Sequence, residues 1–122
     1  MALPIAQGPG AAPAALTPET RAQLDRIVQS HDLVLFMKGT PEAPQCGFSA
    51  RAAQVYQATG RPFHTVNVFD QPDPMAYITQ LAEWAEWPTL PQCWVKGELI
   101  GGSDIALEMY QKGELEEMLQ GA

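Results

Sequence analysis

The chain has 122 residues, 46% of them apolar, and 7 Lys plus Arg against 14 Asp plus Glu leave a formal charge of −7. That length fits one domain of ~100–150 residues and excludes a second. No apolar run approaches the roughly 18 residues that span a membrane, and the few scattered basic residues form no patch for nucleic-acid phosphates or an anionic membrane surface.

Residues 1–16 are Ala, Pro and Gly with almost no charge and no helical or strand period, which predicts a disordered tail. The tail has no Arg or Lys, unlike a signal peptide or an Arg-rich transit peptide. The domain is expected over 17–122. Thr17-Pro18-Glu19 reads as a helix start, with Thr17 as cap and Pro18 in the first turn; Leu24, Ile27 and Val28 give the helix one apolar face to about Ser30. Leu33 to Met37 is a continuous apolar run, as in a strand buried on both faces. A loop with Pro41 and Pro44 follows, then a helix from Cys46 to Thr59-Gly60. Phe63 to Phe69 alternates like a second strand, and a Pro-rich turn leads into a third helix from Met75 to about Glu86. Cys93–Val95 and Glu98–Ile100 flank Lys96-Gly97, a hairpin signal. Ser103-Asp104 can cap a helix to Gln111, and Glu114 to Gln120 forms a last short one. The order α-β-α-β-α-β-β-α-α predicts an α/β domain, a four-stranded mixed sheet flanked by helices on both faces.

Two cysteines, Cys46 and Cys93, are too few for a disulfide-stapled secreted domain or a zinc site within one chain. A reducing, cytoplasmic setting is expected. Cys93 lies on a predicted central strand and reads as a buried structural thiol. Cys46 stands where a loop meets a helix, and the N–H groups and dipole of a first turn favour a thiolate. Lys38, at the end of the strand, can add positive charge. Alone, a cysteine at this position also reads as a small apolar core residue; its context, Cys46-Gly47-Phe48-Ser49, argues for chemistry. In a Cys-x-x-Cys motif the second thiol resolves a mixed disulfide. Ser49 takes that place and cannot, so either an external thiol resolves Cys46 or the thiolate is a metal ligand.

Three motifs in order carry a resemblance: Met37-Lys38-Gly39-Thr40-Pro41; Cys46-Gly47-Phe48-Ser49-Ala50; and Trp87-Pro88-Thr89-Leu90-Pro91-Gln92, running on to Gly97-Glu98-Leu99-Ile100-Gly101-Gly102-Ser103-Asp104-Ile105. The chain resembles a monothiol glutaredoxin of the CGFS type, on a thioredoxin-like fold, over about Glu19 to Gln120. The resemblance implies that Cys46 is the active thiolate, that Lys38 binds a carboxylate of glutathione, and that Cys46, Gly47, Phe48, Thr89, Leu90, Pro91, Gly102, Ser103 and Asp104 complete the glutathione site. Within that set Pro91 resembles the family's cis-proline, Leu90 pairs its backbone with the glutathione cysteine, and Ser103-Asp104 meet the γ-glutamyl end at a helix N-terminus. A plain helix cap explains Ser103-Asp104 as well, and the two roles are compatible. Trp84, Trp87 and Trp94 read as packing residues.

The resemblance also implies a [2Fe–2S] cluster. Such a cluster takes four thiolates, which Cys46 from each of two chains and two glutathione thiols would supply in a homodimer. Cluster transfer to apo iron–sulfur acceptor proteins and a BolA-like partner follow from the same likeness. The alternative is a thiol–disulfide oxidoreductase that reduces glutathione mixed disulfides by a monothiol mechanism; a purely structural thioredoxin-like domain would leave the motif set idle. One departure stands out. The family's arginine early in the third helix, for the glycine carboxylate of glutathione, falls at Met75 when counted from Asp70-Gln71-Pro72, and no Arg occurs between Phe63 and Ala122. Gln80 is the polar side chain left for that role. Ala82-Glu83-Trp84 and Ala85-Glu86-Trp87 read as a tandem repeat that lengthens the third helix by about one turn.

Overall fold

The structure, a computed structural model, describes residues 15–120. The tail expected over 1–16 lies outside the described residues as far as residue 14. Leu16 is described, and its N–H donates to Glu83 Oε1 at 3.2 Å.

Helix α1 runs Pro18–Ser30. Thr17 caps it, its Oγ1 accepting the Thr20 N–H at 3.1 Å, and Pro18 occupies the first turn, where an N–H has no helical partner to lose. Strand β1, Leu33–Met37, is buried at every position. Successive side chains point to opposite faces, so Leu33, Leu35 and Met37 enter one core cluster while Val34 and Phe36 enter another. The remaining elements are α2 (Gly47–Ala58), β2 (His64–Asn67), a 3₁₀ turn (Val68–Asp70), α3 (Pro74–Ala85), β3 (Gln92–Val95), β4 (Glu98–Gly101), α4 (Ser103–Gln111) and α5 (Glu114–Gln120).

The sheet order is β2-β1-β3-β4. β1 and β2 are parallel, with Val34 opposite His64; β1 and β3 are antiparallel, with Leu35 opposite Cys93. β3 and β4 form the expected hairpin, its turn made by Lys96 at φ 51° and Gly97 at φ 82°. Helices α2, α4 and α5 cover one face through Ala52, Tyr56, Ala106 and Leu115. Helices α1 and α3 cover the other through Leu24, Val28, Tyr77 and Leu81. Each large apolar side chain fully buried in these layers contributes about 1.5–3 kcal/mol.

Four local expectations are corrected. β2 ends at Asn67, not Phe69, because the Asn67 side chain accepts the Phe69 N–H at 3.0 Å and turns the chain into the 3₁₀ segment. Cys46 is the residue before α2, not its first residue. Gly102, not Ser103-Asp104, is the residue before α4, and no side chain caps that helix. α3 begins at Pro74 and stops at Ala85, where Glu86 turns left-handed at φ 53°.

α3 docks onto α1. Trp84 stacks on Trp94, ring centroids 4.7 Å apart, and its Nε1–H donates to Asp25 Oδ1 at 2.9 Å. The Gln80 side chain accepts the Thr17 N–H at 3.1 Å. Gln80 is thus committed to the start of α1, which corrects the expectation that it serves a ligand.

Candidate functional site

Beyond β1 the chain folds back on itself. The Gln45 N–H donates to the Lys38 carbonyl at 2.9 Å, Gly39 bridges to Pro44, and the Gly39 N–H donates to Asn67 Oδ1 at 3.0 Å. Gly39 has φ 92°, and a Cβ there would lie 2.6 Å from the Ala43 carbonyl oxygen. Only glycine fits so close an approach at that φ. The closed loop delivers Cys46 to the N-terminus of α2, beside the end of β1.

Cys46 is half-buried, in an extended conformation, and its side chain makes no capping bond. Ser49, one turn further on, is fully buried, and its Oγ accepts the Lys38 N–H at 3.1 Å. Burial pushes the Cys46 thiol up, but the polar backbone N–H groups of Ser49 and Phe48 nearby, the Ser49 hydroxyl and the charge of the Lys38 ammonium outweigh it and hold the thiol below its ordinary value. Cys93 is the opposite case. It is fully buried, and burial pushes its thiol up to about 12 against a weaker opposing hydrogen bond from Tyr56. A thiolate forms readily at Cys46 and not at Cys93.

A groove of about 610 Å³ opens beside Cys46. It crosses the end of the sheet from the α3 layer to the α4 layer. Lys38 and Phe48 line it from the loop and α2, Thr89, Leu90 and Pro91 from the approach to β3, and Gly102, Ser103 and Asp104 from the start of α4. The Leu90–Pro91 peptide is cis. Asp104 is exposed and pairs with Arg51 at 3.3 Å. Cys46 and Gly47 do not form part of the wall; they stand next to it, joined through Phe48. The structure therefore gathers the residues singled out from three separate motifs around one cavity.

Four wall residues escaped the sequence reading: Ile78, Trp87, Pro88 and Ile105. Trp87, Pro88 and Ile105 lie inside the quoted motifs, so adjacency was their signal. Ile105 folds over Gly101, where a Cβ would lie 2.5 Å from Ile105 Cδ1. Ile78 had a signal in the tandem repeat. Counted back from Trp87 on the expectation of one added turn, the third-helix position falls at Ile78 instead of Met75. The structure agrees: Met75 is 70% exposed and outside the groove, which corrects its proposed place facing the ligand, while Ile78 lines it. Met75 and Ile78 lie three residues apart, nearly one helical turn.

Among the described residues no group of three or more His, Cys, Asp or Glu can hold a metal ion, and no helix is long and apolar enough to cross a membrane.

Comparison with known proteins agrees with this geometry. The glutaredoxin family model matches residues 33–100. A chain of Legionella pneumophila named probable monothiol glutaredoxin GrlA is 57% identical over 90 residues, covering 73% of this chain and 97% of that one. The solution structure of reduced poplar apo GrxS14 superposes with a TM-score of 0.72 at 42% identity, covering 85% of this chain and 93% of that one. The crystal structure of a buckwheat glutaredoxin–glutathione complex superposes with a TM-score of 0.72 at 27% identity, over 84% and 93% of the two chains. The sheet and its helices are thus a thioredoxin-like fold.

Proposed function

The chain belongs to the glutaredoxin family, in its monothiol branch, and from that premise we propose that it binds glutathione and carries a glutathione-ligated [2Fe–2S] cluster as a homodimer. The observation that supports this best is the thiol inventory. Cys46 is half-buried with its thiolate favoured, while Cys93 is enclosed and held protonated. A [2Fe–2S] cluster takes four thiolates. One chain contributes one, so two chains and two glutathione thiols complete the set. The residues present fit a shared cluster ligand and do not fit a cluster held within one chain.

Glutathione would lie across the groove. Leu90 would pair its backbone with the ligand's cysteine like an added strand, next to Thr89 and Pro91. Ser103 and Asp104, behind Gly102 at the N-terminus of α4, would receive the γ-glutamyl end, where helix N–H groups favour a carboxylate and Asp104 can accept from the ammonium. Lys38 would balance negative charge, and Gly47 and Phe48 would flank the thiol. The buckwheat relative forms a complex with the same ligand. The protein would act in the cytoplasm, as two unpaired cysteines suit a reducing setting, through residues 17–122 as its glutaredoxin domain. Its role would be to pass the cluster to apo acceptor proteins, with a BolA-like protein as partner.

The open groove and lowered Cys46 thiol also favour a second reading, reduction of glutathione mixed disulfides with an external thiol doing what Ser49 cannot. Reconstitution with iron, sulfide and glutathione separates the two readings. A brown dimer that contains glutathione and reverts to monomer on cluster loss supports the carrier. A colourless monomer with strong turnover of a glutathione mixed disulfide overturns it.

A further inference from the structure

The loop that delivers Cys46 is built as one piece. The Ala43 N–H donates to the Thr40 carbonyl at 3.0 Å and the Thr40 N–H to the Ala43 carbonyl at 3.3 Å, while the Gln45 N–H closes the loop on Lys38. Gly39 packs tightly against it: a Cβ there would lie 2.6 Å from the Ala43 oxygen and 2.7 Å from the Gln45 nitrogen. Close-packed groups pass on displacement. A shift of Gly39 is therefore felt at Ala43, at Gln45 and at the next residue, Cys46.

What holds Gly39 is a side chain from another strand. The β1–β2 ladder ends at the Met37–Asn67 pair, because β2 turns there into the 3₁₀ segment. Past that end Asn67 Oδ1 stands in for a backbone acceptor. It takes the Gly39 N–H at 3.0 Å and the Phe69 N–H at 3.0 Å, which uses both lone pairs of the amide oxygen. The Phe69 bond fixes the side chain, and the Gly39 bond fixes the loop. Asn67 does not line the groove, whereas Lys38, the residue before Gly39, does. Resting on the reading that this groove takes glutathione, we propose that Asn67 is a positioning residue. Its side-chain oxygen sets the place of the Lys38 wall relative to the Cys46 thiol, and with it the preference for glutathione over a thiol too small to use the wall.

Thiol–disulfide exchange measures this without a metal. The Cys46 thiolate attacks one sulfur of a symmetric disulfide; the new S–S bond forms as the old one breaks, and the leaving thiolate takes up the proton that Cys46 gave to solvent. Wild type, Asn67→Ala, Asn67→Ser and Asn67→Asp are each equilibrated with glutathione and its disulfide, and with mercaptoethanol and its disulfide, at high salt to screen the charge that Asp adds. Intact mass gives the fraction of Cys46 modified, and urea unfolding shows that each protein is folded. The ratio of the two equilibrium constants cancels any change in the thiol itself. Wild type should favour glutathione by about tenfold or more. Asn67→Ala should lose about fivefold or more of that preference, and Asn67→Asp, which keeps the oxygen, should stay within about twofold of wild type. Asn67→Ser keeps a hydroxyl for the Phe69 N–H two residues on but is one bond too short for Gly39. It should match Asn67→Ala, and it carries the comparison where Asn67→Ala does not fold. A preference that survives in folded Asn67→Ala or Asn67→Ser while stability falls makes the bond structural alone and overturns the proposal, with glutathione binding intact. Asn67→Asp no better than Asn67→Ala also overturns it. No wild-type preference for glutathione overturns the glutathione reading and this one with it.

Discussion

Ser49→Ala removes one oxygen that serves two neighbours. The Ser49 hydroxyl accepts the Lys38 N–H at 3.1 Å and favours the ionised form of the nearby Cys46 thiol. Its loss leaves the Lys38 N–H without that partner, at a cost of about 1–3 kcal/mol of stability. It also removes one of the groups that outweigh burial at Cys46. A hydrogen bond to a charged group is worth about 1.5–3 kcal/mol, but Cys46 is half-exposed and water replaces part of it, so about 1 kcal/mol, roughly fivefold in thiolate population below the pKa, is the expected loss. Thiolate absorbance titrated against pH reads it directly. Cys93 does not interfere, because burial pushes its thiol up to about 12. Alkylation rates would understate the change, since a thiolate becomes more nucleophilic as its pKa rises. The expected curve is displaced to higher pH, with denaturant stability lowered in parallel. A titration that superimposes on wild type while stability falls would show that the hydroxyl serves the loop alone and refute the electrostatic argument.

In reconstitution, Cys46→Ser should abolish cluster uptake and Cys93→Ser should leave it; loss of colour in a folded Cys93→Ser protein would reassign the ligand. Trp84→Ala should cost about 2–4 kcal/mol in urea unfolding, less than a fully enclosed tryptophan would, because it removes the stack on Trp94 and the bond to Asp25. A change under about 0.5 kcal/mol would mean that α3 is not anchored there. The His31 and His64 rings stack 4.3 Å apart, and burial first, then His31, lowers the His64 pKa. The native state therefore binds this proton less readily than the unfolded chain. The contribution is complete above about pH 6.5 and declines as pH falls from there toward the depressed native pKa, so His64→Phe should flatten the stability–pH curve below that point, and an unchanged slope would exclude His64 as its source.

The sheet was legible because its cues are local. Leu33 to Met37 is apolar at five positions in succession, a short run that suits a strand covered on both faces, and Lys96-Gly97 supplied the two residues that a tight hairpin turn needs. The motif residues met around one groove because each sits at an element end on the same side of the sheet. What escaped depends on partners distant in sequence. Asn67 ends β2 with a side chain that also holds Gly39, a bond that no window around residue 67 contains. Ile78 lines the groove while Met75 is exposed, and a helical pattern read without its neighbours offers two registers one turn apart. Gln80 looked free for a ligand, and the start of α1 had already taken it.

The three tryptophans divide the protein's light between two reports. Trp84 and Trp94 form a stacked indole pair inside one layer, so their coupled near-ultraviolet dichroism should persist as long as α3 stays seated. Trp87 borders the groove with its own polar atom enclosed, and its emission should respond to whatever enters there. A chain in which only Trp87 is kept would therefore be a built-in optical sensor of occupancy, and one in which only Trp87 is replaced by phenylalanine would be blind to ligand yet still register unfolding.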